Sequence, residues 1–170
     1  MLNRKEIKEL IEKENLIQDY INLEIQITPN GFDLTAAKIF KFESKGNLDF
    51  SNSERKLSEA KELEPVKNSS GDKYGWWKLS KGSYKVKTNE TINMPNTISA
   101  LALSRTSLLR MGAALSTGVW DAGFKGKSEF MLNVANPEGI CIKQNARIAQ
   151  LVFFKINESK GYNGIYQNSK

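Results

Sequence analysis

The side chains able to carry out chemistry in this sequence belong to few types. The 170 residues include no histidine and a single cysteine, Cys141. The chain therefore lacks the commonest general base, any Ser-His-Asp or Cys-His arrangement, and histidine-ligated zinc. One cysteine cannot form an intramolecular disulfide, and alone it cannot build a thiolate metal cluster. Any reaction must depend on carboxylates, hydroxyl groups, lysines, arginines or a bound metal ion.

A candidate phosphate-binding segment lies at residues 104–110, where two arginines and three hydroxyl side chains fall within seven residues. Arginine forks bind phosphate oxygens in a bidentate manner, and hydroxyl groups and backbone amides can complete such a cradle. The simpler alternative is a short surface helix whose arginines lie along the protein surface.

A second candidate segment, residues 116–126, contains Asp121 beside Trp120, with glycines on both sides. Glycines allow positive φ angles and close backbone approach, so a hairpin here could read a flat base edge through its main chain. In a chain without histidine, a well-placed carboxylate is the natural base to activate water. The alternative is an aspartate that serves turn formation alone.

Two further segments contain candidate site residues, although their sequence patterns are less specific. Gln150 is polar within the apolar run 145–152, on the strand face of Ile148, and it needs a partner if buried. The alternative is an edge-strand glutamine that faces water. The tail at 161–167 combines glycines and tyrosines, which suits a mobile flap whose ring could cover a base. The alternative there is a disordered chain end.

The elements that must position these residues are mainly short strands. Residues 3–14 predict a surface helix with a capping pair at its start. Residues 20–28 alternate apolar and polar side chains, as a half-buried strand does. Residues 43–75 read as a polar loop, and Trp76 and Trp77 after it should face opposite sides of a strand. A series of short strands broken by Gly and Pro turns follows.

This pattern predicts an all-β, sandwich-like or barrel-like fold with a short N-terminal helix. A chain of this length is expected to bury roughly 70% of its unfolded surface. The absence of alternating strands and helices excludes a Rossmann fold. We predict one domain over 1–170, with a helical segment at 1–18, the polar loop at 43–75 and a flexible tail at 157–170.

The chain carries 25 lysine and arginine residues against 19 aspartate and glutamate residues, a net charge of +6. This excess favours an anionic partner, although a basic surface without a specific partner is equally compatible. The sequence has no aromatic stripe with a contiguous basic groove, so we expect no nucleic-acid partner. It has neither a stretch of about 18 apolar residues nor a signal-peptide core, so we expect no membrane partner and a cytoplasmic protein.

Taken in order, these segments resemble the dUTPase and dCTP deaminase superfamily, and most closely its archaeal dUTPase branch. The match covers nearly the whole chain. The residues that carry it are PNGFDL at 29–34, DFSNSER at 49–55, GWW at 75–77, RTSLLRMG at 105–112, VWDAGF at 119–124, NARIAQLVFF at 145–154 and the tail at 161–167.

The resemblance implies a distorted β jelly roll, assembled as a homotrimer with active sites between subunits. It implies hydrolysis of dUTP to dUMP and diphosphate with Mg²⁺, which keeps uracil out of DNA. Asp121 would activate the attacking water, and the substrate phosphates and water would hold Mg²⁺ without a direct protein ligand. Triphosphate contacts are implied for Arg105, Thr106, Ser107, Arg110 and Gln150. Nucleoside contacts are implied for Thr117, Gly118, Val119, Phe124, Tyr162 and Gln167.

Within that scheme, the backbone around Gly118 would read uracil, and Phe124 would stack on deoxyribose and exclude a 2′-hydroxyl. Asp33 would have a structural role. The sequence departs from the common pattern in three places. Phe124 stands where many dUTPases carry tyrosine, Trp120 replaces the usual aliphatic residue, and the tail resembles that of the deaminase branch.

A dCTP deaminase, or a bifunctional deaminase and diphosphatase, is the alternative within the superfamily. Its deaminases place a proton-transferring glutamate on the strand after the hairpin, three residues before an asparagine. The matching position here is Asn133 or Met131, and neither side chain can transfer a proton as glutamate does. Glu129 shares their strand face at about 7 Å from the nearer position. A non-enzymatic β module that binds nucleotides or nucleic acid is the alternative from another class.

Overall fold

The computed structural model, which describes residues 1–169, consists mainly of antiparallel strands. In chain order the elements are α1 (Arg4–Glu14), β1 (Ile17–Gln18), α2 (Leu23–Gln26), β2 (Ile27–Thr28), β3 (Gly31–Phe42), β4 (Ala60–Glu62), β5 (Trp76–Leu79), β6 (Gly82–Asn93), β7 (Ile98–Ser104), α3 (Thr106–Arg110), β8 (Ala113–Ser116), β9 (Lys125–Val134), β10 (Ile140–Lys143) and β11 (Arg147–Lys155).

One large sheet has the strand order β7-β11-β3-β6-β9-β8, with β1, β2 and β4 paired to its long strands, while β5 and β10 form a separate pair. The two end strands of the large sheet approach each other. Ala100 and Trp120 exchange two backbone hydrogen bonds of 3.0 Å, and the Leu115 N–H donates to Ser104 Oγ at 2.8 Å. The sheet is therefore nearly closed. The predicted all-β, distorted jelly-roll-like barrel with a short N-terminal helix is confirmed.

The core lies between the inner faces of the long strands. Leu151 and Phe153 on β11 are fully buried, and burial of each such side chain contributes about 1.5–3 kcal/mol. On β5, Trp77 is buried and its Nε1 donates to the Leu63 carbonyl at 2.7 Å, whereas Trp76 is half-buried. The prediction that the two tryptophans face opposite sides is confirmed.

The predicted N-terminal helix and its capping pair are confirmed in α1. The Asn3 side chain accepts hydrogen bonds from the first turn, including the Glu6 N–H at 3.1 Å, and the Glu6 carboxylate accepts from the Asn3 N–H at 3.0 Å. Ile7 and Ile11 are buried. This reciprocal capping satisfies N–H groups that have no partner within the helix, and the apolar stripe then holds α1 on the barrel.

The predicted strand at 20–28 is wrong except at its end, Ile27–Thr28, which is β2. Its centre is α2, whose N-cap Asn22 accepts a hydrogen bond from the Ile25 N–H at 3.1 Å. Gln26, polar in the predicted pattern, is buried, and its Oε1 accepts from the Ile21 and Asn22 N–H groups at 2.8 and 2.9 Å. Ile21 and Ile25 are instead 52% and 57% exposed. A side-chain cap and one buried amide therefore override the alternating pattern.

The predicted segments differ in how regular they are. Segment 1–18 contains α1 and then β1, which pairs with β6. Segment 43–75 is mainly irregular, with β4 and two isolated bridges as its ordered contacts.

No helix within residues 1–169 is both long and apolar enough to cross a membrane. The end of the predicted domain and tail, residue 170, lies outside the described residues.

Candidate active site

The turn between β8 and β9 fixes the position of Asp121. The preceding residue, Trp120, is buried and donates from its indole Nε1 to Ser128 Oγ at 2.8 Å. Its backbone is held by the two hydrogen bonds to Ala100. The Phe124 N–H donates to the Asp121 carbonyl at 3.1 Å and closes the turn. The Asp121 carboxylate therefore projects from an anchored backbone.

A groove of about 550 Å³ opens beside this turn. Thr117 stands just before it, and its hydroxyl donates to the Ala102 carbonyl at 3.4 Å. The structure thus brings the predicted water-activating carboxylate together with most of the predicted nucleoside residues. Those that line the groove are Gly118, Val119, Asp121, Phe124 and Tyr162.

The two carboxylates in the groove differ in their partners. The Asp121 side chain is exposed, and within residues 1–169 it forms no hydrogen bond or ion pair. Glu129 forms an ion pair with Lys85, whose Nζ lies 2.9 Å from Glu129 Oε2 and 4.6 Å from the centre of the Phe40 ring. Asp121 is therefore the groove carboxylate available to a water molecule or a substrate.

The described part of the tail, residues 157–169, lies against the same turn. The Tyr162 N–H donates to the Ala122 carbonyl at 2.7 Å. The Tyr162 ring meets Phe124 edge-on with their centres 5.7 Å apart, a favoured arrangement for aromatic pairs. Tyr166 also lines the groove. The tail therefore supplies one wall of the site.

The predicted triphosphate residues form a second cluster at the far end of β7. Arg105 directly precedes α3, where Thr106, Ser107 and Arg110 are exposed. Gln150 lies on the neighbouring strand β11, opposite the end of β7. All five residues are thus on one part of the surface, with two guanidinium groups and two hydroxyl groups among them, as an anion site requires.

Asp33 tethers part of this cluster. Its Oδ2 lies 3.1 Å from Arg105 Nε and 3.2 Å from Arg147 Nη1, and its side chain is almost fully buried. Burial raises the pKa of the Asp33 carboxyl, and the guanidinium groups of Arg105 and Arg147 oppose that shift. This arrangement fits the structural role that the resemblance implies for Asp33.

The two clusters lie apart within one chain. Ala100, bonded to Trp120, marks the Asp121 end of β7, and Arg105 is five residues further along. At about 3.3 Å per strand residue, this interval spans roughly 16 Å. The groove and the arginine cluster are therefore separate within one chain.

A buried polar network lies behind Asp33 and is centred on Glu90. The Glu90 carboxylate accepts from Gln26 Nε2 at 2.7 Å, from the Thr35 hydroxyl at 2.6 Å and from the Thr35 N–H at 3.0 Å. Gln26 Nε2 also donates to the Asp33 carbonyl at 2.9 Å. Burial raises the pKa of Glu90, and the hydrogen bonds from its donors oppose the shift.

Replacing Glu90 with glutamine tests this network. The new amide nitrogen would face a donor, either Gln26 Nε2 or the Thr35 N–H. We therefore expect the free energy of unfolding at neutral pH to fall by about 1–3 kcal/mol. Urea unfolding of Glu90→Gln beside the unchanged protein measures this difference. Equal stability of the two proteins would contradict the network.

The same pair of proteins reports the pKa of Glu90. Because this pKa is raised in the folded state, the folded protein binds more protons than the unfolded chain above the ordinary value of 4.5. The free energy of unfolding should then fall as pH rises from that value through the raised one. Glu90→Gln should lose this contribution to the slope, and an identical slope in both proteins would exclude it.

Several groove residues are not predicted from the sequence. Phe42 and Leu57 reach the groove from β3 and the 43–75 segment, and Lys85 and Lys127 from β6 and β9. No local pattern identifies them, because their placement depends on how distant strands pack. The exposure of Glu129 is predictable, since strand alternation places its side chain on the outer face of β9.

The family follows from a comparison with known proteins. A family profile described as dCTP deaminase-like matches residues 1–156. The chain belongs to the dCTP deaminase-like family. A relative described as a probable deoxyuridine 5′-triphosphate nucleotidohydrolase of Methanosarcina mazei is 46% identical, over 99% of this chain and 96% of its own. Another so described, from Archaeoglobus fulgidus, is 44% identical over 98% and 95%. The deoxyuridine 5′-triphosphate nucleotidohydrolase of Methanocaldococcus jannaschii is 44% identical over 85% and 88%.

A solved structure supports the fold assignment of this dCTP deaminase-like protein. The 2′-deoxycytidine 5′-triphosphate deaminase of Agrobacterium tumefaciens aligns with a TM-score of 0.65 at 17% identity. The alignment covers 89% of this chain and 46% of the deaminase chain. The two chains therefore share the family's strand framework.

Strand β9 of this dCTP deaminase-like protein holds the positions at which the resemblance places a deaminase glutamate. Glu129, Met131 and Asn133 are exposed on one face, as the alternation predicts. Of the three, Glu129 lines the groove, and its carboxylate is paired with Lys85. Met131 and Asn133, the two positions predicted to match that glutamate, carry no acid, and the nearby carboxylate of Glu129 is paired with Lys85.

Proposed function

We propose that this protein is a dUTP diphosphatase, which hydrolyses dUTP to dUMP and diphosphate and so limits uracil in DNA. The observation that carries the proposal is the exposed, unpaired Asp121 carboxylate beside Phe124 in the groove. Archaeal relatives at 44–46% identity, named for this activity, match it over at least 95% of their length. The histidine-free composition suits a reaction that needs one carboxylate base.

Asp121 acts as the general base. Its carboxylate accepts a proton from a water molecule while the water oxygen attacks the α-phosphorus in line. The bond between that phosphorus and the bridging oxygen to the β-phosphorus breaks, and diphosphate leaves. Trp120 anchors the backbone before Asp121, and the hydrogen bond from the Phe124 N–H anchors the backbone after it. The Asp121 carboxylate is therefore positioned before the substrate binds.

The arginine cluster binds the triphosphate in this proposal. Arg105 and Arg110 offset the negative charge that grows on the leaving diphosphate, and the hydroxyl groups of Thr106 and Ser107 donate to phosphate oxygens. Gln150 orders the phosphates or their hydrated metal ion. The Asp33 tether keeps Arg105 in a fixed orientation, so less side-chain entropy is lost on binding.

The residues present fit Mg²⁺ held mainly by the substrate. No group of three or more acidic or cysteine side chains within residues 1–169 could hold a metal ion. Of the two groove carboxylates, Glu129 is paired with Lys85 and Asp121 is free. In the proposal Asp121 stays free as the base, and Mg²⁺ would be held by the substrate phosphates and water, where it would neutralise phosphate charge.

The groove accepts the nucleoside. Exposed backbone groups at Gly118 and Val119 bond the uracil edge, with Thr117 at the start of this segment. The Phe124 ring stacks on deoxyribose and leaves no room for a 2′-hydroxyl. Tyr162, held edge-on against Phe124, lies beside it and covers the base.

We also propose a homotrimer in which each site combines the groove of one chain with the arginine cluster of the next. Two observations support this. The groove and the arginine cluster, the two half-sites, lie roughly 16 Å apart along β7 in one chain. Beside the arginine cluster, Leu101 and Leu103 on the outer face of β7 are 44% and 62% exposed. We assign these two exposed leucines, on the same face of one strand, to the interface between chains.

Product analysis tests the hydrolase proposal against the deaminase alternative. Purified protein is incubated with Mg²⁺ and either dUTP or dCTP, and diphosphate and ammonia are measured. We expect diphosphate from dUTP and no ammonia from dCTP. Met131 and Asn133 cannot transfer the proton, and the Glu129 carboxylate is in an ion pair with Lys85. Ammonia from dCTP that disappears in Glu129→Gln would overturn this interpretation of β9. Salt-sensitive DNA binding without any turnover would instead favour a non-enzymatic module.

A further inference from the structure

The C-terminal tail docks on the turn of its own chain through main-chain contacts. Besides the Tyr162 bond to Ala122, the Asn168 N–H donates to the Lys125 carbonyl at 2.7 Å. Ser169 fixes the last described part of the tail with two hydrogen bonds to Lys127. Its hydroxyl donates to the Lys127 carbonyl at 2.8 Å, and its own carbonyl accepts from the Lys127 N–H at 2.9 Å. The tail therefore runs along the 122–127 backbone and along the groove.

Gln167 makes the bidentate contact in this path. Its Nε2 donates to the Gly123 carbonyl at 2.9 Å, and its Oε1 accepts the Lys125 N–H at 2.8 Å. The two backbone groups flank Phe124, the residue proposed to stack on deoxyribose. The Gln167 amide is thus engaged with the protein backbone rather than directed freely at a base.

A glycine in the turn and another at the start of β9 make room for this contact. Gly123 has a φ of +80°, and a Cβ there would lie 2.6 Å from Gly161 Cα. A Cβ on Gly126 would lie 2.5 Å from Ser169 Oγ. Such distances are far below normal carbon contacts, so the tail backbone fits only because both positions lack side chains. The surface on which the tail docks is therefore shaped at two separated points, one in the turn and one at the start of β9.

We propose that Gln167 is a positioning residue that latches the tail across the groove of its own chain and so holds Tyr162 against Phe124. The proposal rests on the proposed function, and it replaces a direct nucleoside contact of Gln167 with an indirect role. Each chain then closes its own nucleoside groove, even though its neighbour supplies the arginine cluster.

Amide hydrogen exchange without nucleotide tests the latch independently of any activity. The variant Gln167→Glu keeps the shape but turns an oxygen toward the Gly123 carbonyl, so the donor is lost. We expect the Tyr162 and Asn168 amides to exchange about tenfold faster in Gln167→Glu and in Gln167→Ala. Asn163→Ala, at an exposed tail position, is the matched control and should leave both amides unchanged. Unchanged protection in both Gln167 variants would overturn the latch.

Steady-state kinetics separate positioning from direct chemistry. A loosened tail weakens nucleoside binding, so we expect the KM for dUTP to rise about tenfold in Gln167→Glu, with kcat within about twofold. A fall in kcat at unchanged KM would contradict the positioning role. Because the exchange experiment contains no substrate, failure of the latch and failure of the proposed function give different results.

Mixing two full-length variants decides whose groove the tail closes. Chains carrying Asp121→Asn supply an intact tail, and chains carrying Tyr162→Ala with Gln167→Ala supply an intact carboxylate. At dUTP well below the KM of the unchanged protein, closure within the chain predicts no activity beyond the sum of the two variants. Restored activity would show that the tail serves a neighbouring chain and would overturn the proposal. Native mass spectrometry confirms that mixed assemblies have formed before activity is measured.

Discussion

Changing Asp121 to asparagine should lower kcat for dUTP hydrolysis by about 10³-fold, the usual scale for loss of a general base. The asparagine amide has nearly the same volume but cannot accept the proton from water at neutral pH. Because the Asp121 side chain forms no hydrogen bond or ion pair within residues 1–169, the substitution removes no structural contact. Dissociation constants measured with a non-hydrolysable dUTP analogue should change by less than about threefold.

A matched control uses another exposed carboxylate. Glu138 lies in the turn before β10, outside the groove, so Glu138→Gln removes the same charge without touching the site. It should retain full activity and the same melting temperature as the unchanged protein. Asp121→Asn with full kcat would remove Asp121 from the mechanism, and another base would have to be found.

Two inactive variants should regain activity when their chains are mixed. Arg110→Ala, on the exposed face of α3, should lower turnover by about 10²-fold, because the triphosphate loses a charge-assisted contact. Co-expression with Asp121→Asn in equal amounts gives trimers in which about a quarter of the shared sites have both residues intact. We therefore expect about a quarter of the unchanged activity, against less than 1–2% for either variant alone, by the same order-of-magnitude reasoning.

The control for this mixture pairs Asp121→Asn with Asp121→Ala, which cannot regenerate an intact site. Light scattering on the unchanged protein should give three times the chain mass of 19.2 kDa. A mixture no more active than the sum of its components would place both half-sites in one chain. The roughly 16 Å between them along β7 would then have to be closed by a change in conformation.

Local chemistry decided which parts of the fold were predictable from sequence. The Asn3 and Glu6 cap, the tryptophan pair of β5 and the alternation of β9 depend on neighbours within four residues, and all three are confirmed. The prediction for residues 20–28 failed although Asn22 and Gln26 bond within that segment, because the groups that satisfy the buried Gln26 amide nitrogen, on Asp33 and Glu90, lie outside it. A pattern within one segment carries no record of such partners.

The same distinction between local and distant contacts applies to the candidate active site. Asp121 and Phe124 lie in one short motif, so their common position in the groove was predictable from the chain order of the family. The groove walls at Phe42 and Leu57 were not, since they depend on how the 43–75 segment packs. Nor did the sequence indicate that the Gln167 amide bonds backbone groups on both sides of Phe124.

In the proposed reaction, water activated by Asp121 attacks the α-phosphorus of dUTP. Turnover of dUTP in ¹⁸O-enriched water, followed by mass spectrometry of both products, tests it most directly. We predict one ¹⁸O atom in the phosphate of dUMP and none in diphosphate, because the attacked phosphorus keeps the water oxygen. Label in diphosphate would place the attack at the β-phosphorus and contradict the assigned position of the Asp121 base.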